Sequence, residues 1–297
     1  MTITITTSNV NGIRAAKRKG IEQWAAKNTP DVWCMQEVRA PQNEIDPIFD
    51  EFGFEYATAG RIADQSGLDR MNEICRIKGR AGVGLLSALP VIDKRYGLPG
   101  LAEDVDSGRW IEADVKTPQG YTVTVVCVYV HAGNTDDPEK MKQKYRFLDT
   151  MLVRMGQLRD EAAHGGKQAV LCGDFNIAHT PLDIKNAKAN EKHAGFLPEE
   201  RAYVDKWLGE LEFVDVMRSL CGDIQGPYTW WSQRGRAFDN NVGWRIDYQF
   251  ATPELAETAR GFVIDKAPTY DLRWSDHAAV IRPMPGNGRH TPIPSPY

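Results

Sequence analysis

Apolar positions recur along this chain with two periods. Short runs with alternating or continuous apolar residues, typical of β-strands, occur roughly ten times. They are TITIT, VWCMQE, GVGLLS, RWIEADV, YTVTVVCVYV, QAVLCGD, YTWW, IDYQFAT, FVID and HAAVI. The turn sequence KTPQG between RWIEADV and YTVTVVCVYV predicts a β-hairpin.

A helical period is clear over residues 141–162, with apolar side chains three or four positions apart. Asp137 before Pro138 is a suitable N-cap for that helix. Further helices are predicted at 13–27 and 198–211. Many strands with few helices favour β-sheets packed on one another with helices outside, an α/β protein.

No low-complexity linker or fixed-period repeat divides the chain, so we expect one domain over residues 1–284. Within it, residues 61–80 are predicted to form a surface excursion. The Pro-rich segment 285–297 is predicted to be an extended C-terminal tail.

Composition narrows the function classes. The 297 residues are 42% hydrophobic, which is ordinary for a globular protein, and length alone allows one large or two small domains. The first residues lack a signal-peptide pattern, and no apolar run approaches the ~20 residues of a membrane span. We therefore expect a cytoplasmic protein without a membrane partner. We also expect a monomer.

Five cysteines without a C-x-x-C pair favour buried thiols in a reducing compartment over a disulfide or metal role. Cys34, Cys127 and Cys172 lie within apolar runs, as small buried side chains do.

The net charge of −4 and pI of about 5.9 argue against wholesale binding to nucleic acid but leave local basic patches open. One basic run, typical of a solvated helix face, comprises Lys140, Lys142, Lys144 and Arg146. Basic residues near the polar strand ends are Lys185, Lys188, Lys192, Arg234 and Arg236.

Six predicted strands carry polar side chains at one end. These side chains are Asn9, Glu37, Tyr129 with His131, Asp174 with Asn176, Asp247, and Asp276 with His277. A single Asp or Asn at such a position is usually a turn or cap residue. Six strand ends of this kind indicate a site assembled at one side of the sheet layer.

The residue types in this set indicate a hard divalent cation. Carboxylate and amide oxygens are the ligands that Mg²⁺ prefers, whereas the clustered thiolates and imidazoles of a zinc site are missing. Phosphoester hydrolysis needs such a metal, donors to the phosphoryl oxygens and a positioned water. A G-x-x-x-x-G-K-[ST] loop is missing, which disfavours nucleoside-triphosphate chemistry.

A set of motifs carries a family resemblance. In order they are NVNGIRA, MQEVRA, GVGLLS, YVHAG, GDFNIAHTPLDIKN, GWRIDY and SDHAAV. With these motifs, residues 3–284 resemble the exonuclease III-like apurinic/apyrimidinic endonucleases of the endonuclease/exonuclease/phosphatase superfamily. The short N, Q-E, G-D-x-N and S-D-H motifs are shared across the superfamily, whereas GDFNIAHTPLDIKN and NNVGWRIDY are typical of the DNA-repair branch.

The resemblance implies a four-layer α/β sandwich of two packed mixed β-sheets, with the site at one rim. It implies Mg²⁺, with Mn²⁺ as an alternative, held by Asn9 and Glu37 with Asp276 nearby. By the same resemblance, Asp174 and Asn176 position and deprotonate the attacking water. His277, hydrogen-bonded by Asp247, contacts the scissile phosphate, and Tyr129 is the active-site tyrosine. Asp174, Asn176 and His277 are alternatives as ligands of a second or moving ion.

The implied partner is double-stranded DNA with an abasic site. By the same resemblance, Asn186 and Asn190 hold the DNA backbone, and the apolar pocket for the abasic sugar is formed by Trp230, Trp244 and Ile246. Lys188 and Arg236 are predicted phosphate contacts on nearby loops. Along GWRID, however, strict alternation would point Asp247 away from Trp244 and Ile246.

Three features depart from the family pattern. His131 and Ala132 stand where Pro-Asn is common, His193 replaces an Asn, and the excursion at 61–80 is long. The implied activity is cleavage 5′ to abasic sites, with 3′–5′ exonuclease and 3′-phosphatase activity in a balance that the sequence leaves open.

Three alternatives remain. A nonspecific deoxyribonuclease or a head-group phosphatase of the same superfamily would share the catalytic core, and the basic loops favour a long polyanion over a head group. A noncatalytic DNA-binding relative would be expected to lose Glu37, Asp174 or His277, and all three are present.

Overall fold

Two six-stranded β-sheets form the centre of the computed structural model, which describes residues 3–51, 69–73, 80–101 and 108–284. The strands of sheet A, in spatial order, are β13 (Val263–Asp265), β14 (Ala279–Met284), β1 (Ile3–Asn9), β2 (Val32–Gln36), β4 (Val83–Ser87) and β3 (Asp69–Glu73). Those of sheet B are β5 (Val91–Tyr96), β6 (Trp110–Lys116), β7 (Thr122–Tyr129), β8 (Gln168–Asp174), β12 (Asp247–Ala251) and β9 (Val214–Asp215).

The two sheets share one pairing pattern. Each contains a single parallel pair, β1 with β2 in sheet A and β7 with β8 in sheet B, and every other pairing is antiparallel. Since the carboxyl ends of parallel strands lie at the same edge, each pair brings two strand ends together. The predicted β6–β7 hairpin is confirmed.

Strand β7 shows why the sheets pack face to face. Val125 and Cys127 point into the core between the sheets, while the alternating Val126 and Val128 point outward to a second core under the helices. Burying each valine contributes roughly 1.5–3 kcal/mol, so a strand that is apolar on both faces requires a layer on each side.

Helices cover both outer faces. Those on sheet A are α1 (Ile13–Arg18), α2 (Ile21–Asn28) and α3 (Gln42–Glu51), and those on sheet B are α4 (Pro138–Ala163) and α6 (Pro198–Gly209). Short helices are α5 (Ala187–Asn190), α7 (Val216–Cys221) and α8 (Pro253–Glu257). The four-layer α/β sandwich is therefore confirmed, and the Asp137 side chain accepts from the Lys140 amide as the N-cap of α4.

Three details differ from the sequence prediction. The helix predicted at 13–27 breaks into two because Gly20 adopts φ 93°, a left-handed conformation that a glycine allows. YTWW contributes only β10 (Trp230–Trp231), which pairs with β11 (Gly243–Trp244) in a separate ribbon. Within the predicted excursion, Asp69–Glu73 forms the edge strand β3 of sheet A.

Residues 61–68, 74–79 and the tail 285–297 lie outside the described residues. Within the described ranges, no helix is both long enough and apolar enough to cross a membrane. Cys34, Cys127 and Cys172 are buried free thiols, as expected from their apolar surroundings in the sequence.

Candidate active site

The ends of the two parallel pairs meet at one rim of the sandwich. Asn9 ends β1, Glu37 follows β2, Tyr129 ends β7 and Asp174 ends β8. The Asn9 Nδ2 donates to Glu37 Oε1 and to Asp174 Oδ2, each at 2.9 Å. The Tyr129 hydroxyl donates to the same Glu37 oxygen at 2.8 Å. The structure therefore joins four of the predicted site residues in one hydrogen-bonded cluster.

Local backbone geometry places these side chains. A Cβ at Gly173 would lie 1.9 Å from the Val128 carbonyl oxygen, so only glycine allows β8 to approach β7 just before Asp174. Glu37 has φ 54° and Asn176 has φ 50°, a region that non-glycine residues seldom occupy and that is enriched at functional sites. The Asn176 amide donates to Asp174 Oδ1 at 2.9 Å and fixes the carboxylate.

His277 and Asp247 form a buried dyad beside Asp174. Asp247 begins β12 directly opposite Asp174, and its Oδ2 accepts from His277 Nδ1 at 2.8 Å. The other ring nitrogen, Nε2, lies 3.8 Å from Asp174 Oδ2. The Thr229 hydroxyl accepts from the backbone amides of Ile246 and Asp247, which anchors the start of the strand. The imidazole therefore has one fixed orientation, between two carboxylates.

Burial and neighbouring charges shift the pKa values of this cluster. Burial raises the pKa of Asp174 to about 7, assisted by Asp247 and Glu37 and opposed by His277. Burial alone would lower the pKa of His277, but Asp247, Asp174 and Asp276 raise it to about 10. The imidazole is thus a cation at neutral pH, and Asp174 titrates near neutrality.

Asp276 completes the acidic side of the rim. Asn11 Nδ2 donates to its Oδ1 at 2.8 Å, and the Trp230 indole Nε1 donates to its Oδ2 at 3.2 Å. Burial favours a raised pKa for Asp276, but His277 and these hydrogen bonds lower it overall. Asp276 is therefore held as a carboxylate.

Two further rim residues were not predicted as site residues. Arg39 Nη1 donates to Asn11 Oδ1 at 2.9 Å, and the guanidinium also contacts the Glu37 carboxylate. Asn11 and Arg39 thus link Asp276 to Glu37. Their only sequence signal is their position two residues after Asn9 and Glu37, within NVNG and QEVR.

Lys144 corrects another expectation. The sequence placed it in a solvated basic run, yet its side chain is fully buried and forms an ion pair with Glu200 at 2.5 Å. It also donates to the backbone carbonyls of Ala132 and Asn176, at 3.1 and 2.9 Å. Lys144 therefore ties the loops after β7 and β8 to the start of α6.

An apolar wall adjoins the acidic cluster. A cavity of about 320 Å³ is lined by the polar residues Glu37, Asp174, Asp276 and His277 together with the apolar residues Trp230, Trp244 and Ile246. The two indoles meet edge to face, with ring centroids 5.9 Å apart. All three predicted pocket residues thus lie in the same cavity as the polar cluster.

The structure explains how Trp244, Ile246 and Asp247 belong to one site although strict alternation along GWRID would point Asp247 away from the other two. Trp244 pairs in the ribbon with Trp230, whereas Asp247 pairs with Asp174 in sheet B. GWRID is therefore not one strand, because the chain passes from the ribbon to sheet B at Arg245 and Ile246. Ile246 therefore lines the cavity, while the next residue, Asp247, lies behind it and reaches His277 Nδ1.

The predicted DNA-contacting residues lie on loops outside that cavity. Asn186 precedes α5, and Asn190 Nδ2 donates back to its carbonyl at 3.0 Å. Lys188 is exposed on the same short helix, and Arg236 is exposed in the loop between β10 and β11. An isolated bridge between Ile184 and Trp244 places the first loop beside the apolar wall.

The donor set suits a hard cation. Asp174, Asp247 and His277 offer ligand atoms within 4.8 Å of one another, the one such group in the described ranges. One buried oxygen of Asp247, Oδ1, has no hydrogen-bond partner there. The Asn9 amide nitrogen, a partly positive group, lies between the Glu37 and Asp174 carboxylates. Positive charge is thus favoured at this point of the rim.

Comparison with known proteins agrees with this architecture. Residues 6–277 match the model of the Endonuclease/Exonuclease/phosphatase family. The chain is 30% identical over 273 residues to an exodeoxyribonuclease of Bacillus subtilis, covering 92% of this chain and 95% of that protein. It is 30% identical to a DNA-(apurinic or apyrimidinic site) endonuclease of Dictyostelium discoideum, covering 92% of this chain and 68% of that one.

Solved structures give the same result. An AP endonuclease from Archaeoglobus fulgidus superposes with a TM-score of 0.76 at 29% identity, covering 94% of this chain and 98% of that one. The 3′-5′ exonuclease NExo from Neisseria meningitidis superposes with a TM-score of 0.75 at 27% identity, covering 95% and 99%.

Proposed function

The chain belongs to the Endonuclease/Exonuclease/phosphatase family, and from that premise we propose that it is a DNA-repair nuclease. It cleaves duplex DNA on the 5′ side of abasic sites and processes 3′ ends as an exonuclease and phosphatase. The observation that carries the proposal is that the acidic cluster and the aromatic wall line one cavity. The printed names of the relatives, exodeoxyribonuclease and AP endonuclease, support it.

The reaction is hydrolysis of a phosphodiester bond. Asp174 accepts the proton of the attacking water, a role suited to a carboxylate whose pKa is raised to about 7. Asn176 positions that water together with Asp174. The bond from phosphorus to the 3′ oxygen of the preceding nucleotide breaks as the new bond from water forms.

The remaining polar residues stabilise the phosphate. His277, kept cationic by Asp247, donates from Nε2 to a phosphoryl oxygen and offsets the charge that develops there. Burial and Glu37 raise the pKa of Tyr129, so its hydroxyl stays protonated and remains a hydrogen-bond donor at the rim.

The metal site is proposed from the motif resemblance and from the oxygen ligands at the ends of β1 and β2, and it is distinct from the group of Asp174, Asp247 and His277. Glu37 and Asn9 would hold Mg²⁺, with Asp276 close by, and Mn²⁺ satisfies the same oxygen ligands. When bound, the ion neutralises charge on the phosphate. His277 is disfavoured as a ligand because a protonated imidazole has no lone pair to donate. Asp174 and Asn176 would be left to position the water.

Selectivity arises at the apolar wall. A base-free sugar leaves the duplex at lower unstacking cost than a full nucleotide, which supplies part of the preference. Trp230, Trp244 and Ile246 then enclose that sugar in the cavity. Outside it, Asn186 and Asn190 hold the DNA backbone, and the exposed Lys188 and Arg236 neutralise phosphates.

We also propose that the protein acts in the cytoplasm. The cysteines of the described residues are free thiols, which fits a reducing compartment such as the cytoplasm. We propose that residues 1–284 act as one domain and as a monomer, because both sides of the cavity are supplied by a single chain.

One assay tests the proposal. Duplex DNA with a single abasic-site analogue is compared with the intact duplex, with and without EDTA. We expect cleavage 5′ to the analogue that EDTA abolishes, and a Trp244→Ala variant that loses about tenfold in preference for the abasic duplex, a loss typical of one buried aromatic contact. Equal cleavage of both duplexes would instead indicate a nonspecific deoxyribonuclease.

A further inference from the structure

Trp230 contacts both the apolar wall and the acidic cluster of the cavity. Its ring forms part of the apolar wall, edge to face with Trp244. Its indole Nε1 donates to Asp276 Oδ2 at 3.2 Å. Its backbone also forms an isolated antiparallel bridge with His277, and the ring centroids of these two residues are 6.4 Å apart.

The second oxygen of Asp276 is held differently. Asn11 Nδ2 donates to Oδ1 at 2.8 Å, and the Ser275 hydroxyl lies 3.4 Å from the same oxygen. Among the described side chains, Trp230 is thus the donor to Oδ2. A carboxylate with a donor on each oxygen is fixed about its terminal torsion, which is otherwise broad.

We propose that Trp230 is a positioning residue for Asp276, which it holds through the indole N–H while its ring forms the pocket wall. The inference rests on the proposed function, because it assigns a role within that active site. A sugar packed against the ring restricts the indole, and the indole in turn restricts Asp276 beside His277. Occupation of the pocket and alignment of the carboxylate are thereby coupled.

Trp230→Phe separates the two roles. Phenylalanine keeps an aromatic wall but removes the N–H donor, so the binding constant for the abasic duplex should stay within about 2-fold. The single-turnover rate should fall about 10-fold, because a largely buried carboxylate oxygen loses its hydrogen bond. Equal losses in binding and in rate would indicate a wall residue alone and overturn the proposal.

Trp231→Phe is the matched control. It is the same substitution one position along the strand, and it removes an indole hydrogen bond to Asn241 Oδ1 of 3.0 Å on the other side of the ribbon. We expect its single-turnover rate to match that of the wild type. A 10-fold fall in this variant as well would attribute the effect to disturbance of the ribbon and count against the proposal.

A double-mutant cycle tests whether Trp230 affects the single-turnover rate through Asp276. In an Asp276→Ala background, Trp230→Phe should change the remaining rate by less than about 2-fold, because the partner is already absent. The same 10-fold fall in both backgrounds would show that Trp230 acts without Asp276.

A measurement without substrate separates this inference from the proposed function. In ¹⁵N-labelled protein, the Trp230 indole resonance is assigned by its loss in Trp230→Phe, or by its proximity to Trp244 if that variant folds poorly. Asp276→Ala should move this resonance upfield, whereas Lys188→Ala, at an exposed residue outside the cavity, should leave it in place. An unmoved resonance overturns the contact even in an active enzyme. A wild type that cleaves no abasic DNA refutes only the proposed function.

Discussion

Asp174 and Asp183 are two aspartates of one motif, GDFNIAHTPLDIKN, with opposite properties. Both are almost completely buried, at 1% and 0% exposure. Asp183 accepts from Arg245 Nε at 2.6 Å and from Arg218 at 2.5 Å, and its other oxygen accepts from the Thr180 amide. Asp174 instead faces the carboxylates of its neighbours and one imidazole.

The difference shows that burial alone does not decide the chemistry of a carboxyl group. Burial would raise both pKa values, but Arg245 and Arg218 lower the pKa of Asp183 to about 2. Without a guanidinium partner, Asp174 keeps its raised pKa of about 7. Asp183 therefore stays charged at neutral pH and acts as an anchor, whereas Asp174 is able to exchange a proton near neutral pH.

Substitution of Asp174 should have the largest effect on catalysis. Asp174→Asn keeps the size and two polar atoms of the side chain but removes the proton acceptor. Single-turnover cleavage of abasic duplex should fall about 10²- to 10⁴-fold. The melting temperature should be unchanged or higher, because a buried carboxyl group whose pKa is raised by burial and by neighbouring carboxylates is removed. A variant with near wild-type rate would show that another group takes the proton.

Asp183→Asn should produce the reverse outcome. It removes the carboxylate that pairs with the buried Arg245 and the half-buried Arg218, although Asp215 still pairs with Arg245. The free energy of unfolding should therefore fall by about 3 kcal/mol, the lower end of the range for a broken buried ion pair. Urea denaturation measures this loss. The folded fraction should keep a rate within a few-fold of wild type. If stability is unaffected and catalysis is lost, the roles of the two aspartates have been assigned wrongly.

Asp247→Ala sharpens the role of the third buried aspartate. Removing the partner of His277 Nδ1 should lower the pKa of His277 and free the ring to rotate. We expect a rate loss of about 10–100-fold, smaller than for Asp174→Asn. NMR titration of the imidazole checks the pKa, and an unchanged pKa would place the source of the shift elsewhere.

In metal-free buffer, the contributions of Asp174 and Asp183 to the free energy of unfolding should depend on pH in opposite directions. The pKa of Asp174 is raised on folding, so its contribution to stability is present at low pH and lost as the pH rises from about 4 to about 7. The pKa of Asp183 is lowered, so its contribution is present above pH ~4 and lost as the pH falls towards 2.

Urea unfolding at a series of pH values in EDTA measures both slopes. Asp174→Asn should reduce the decline in stability between pH 4 and 7, and Asp183→Asn should reduce the decline below pH 4. Parallel curves for wild type and both variants would contradict the contrast between the two sites.

Exposed charges should give the smallest effect. Lys188 and Arg236 are solvated, so they stabilise bound DNA through counterion release rather than through a buried partner. Replacing either with Ala should reduce the log–log salt dependence of DNA binding by about 0.9 or less. Unchanged slopes in both variants would mean that the DNA backbone follows another path across the protein.

Local sequence pattern was sufficient for most of the architecture. The period-two runs correspond to strands because alternation is a property of neighbouring residues, and the Asp137-Pro138 start of α4 is equally local. The polar strand ends were visible for the same reason. Motif resemblance then pointed to residues that the structure brings together, such as Asn9 and Asp174, although they are 165 positions apart.

The tertiary structure decided the pKa values, the burial and the hydrogen bonds that depend on residues distant in sequence. No local pattern distinguishes Asp174 from Asp183, because their pKa values follow from charges that folding brings within a few ångströms. The sequence predicts that Lys144 is a surface lysine, whereas in the fold it is buried in an ion pair with Glu200 of α6. The indole of Trp230 finds Asp276 46 positions away, at a distance set by the packing of the ribbon on sheet A. Electrostatic and hydrogen-bond energies fall steeply with separation in space, and separation along the chain carries little information about it.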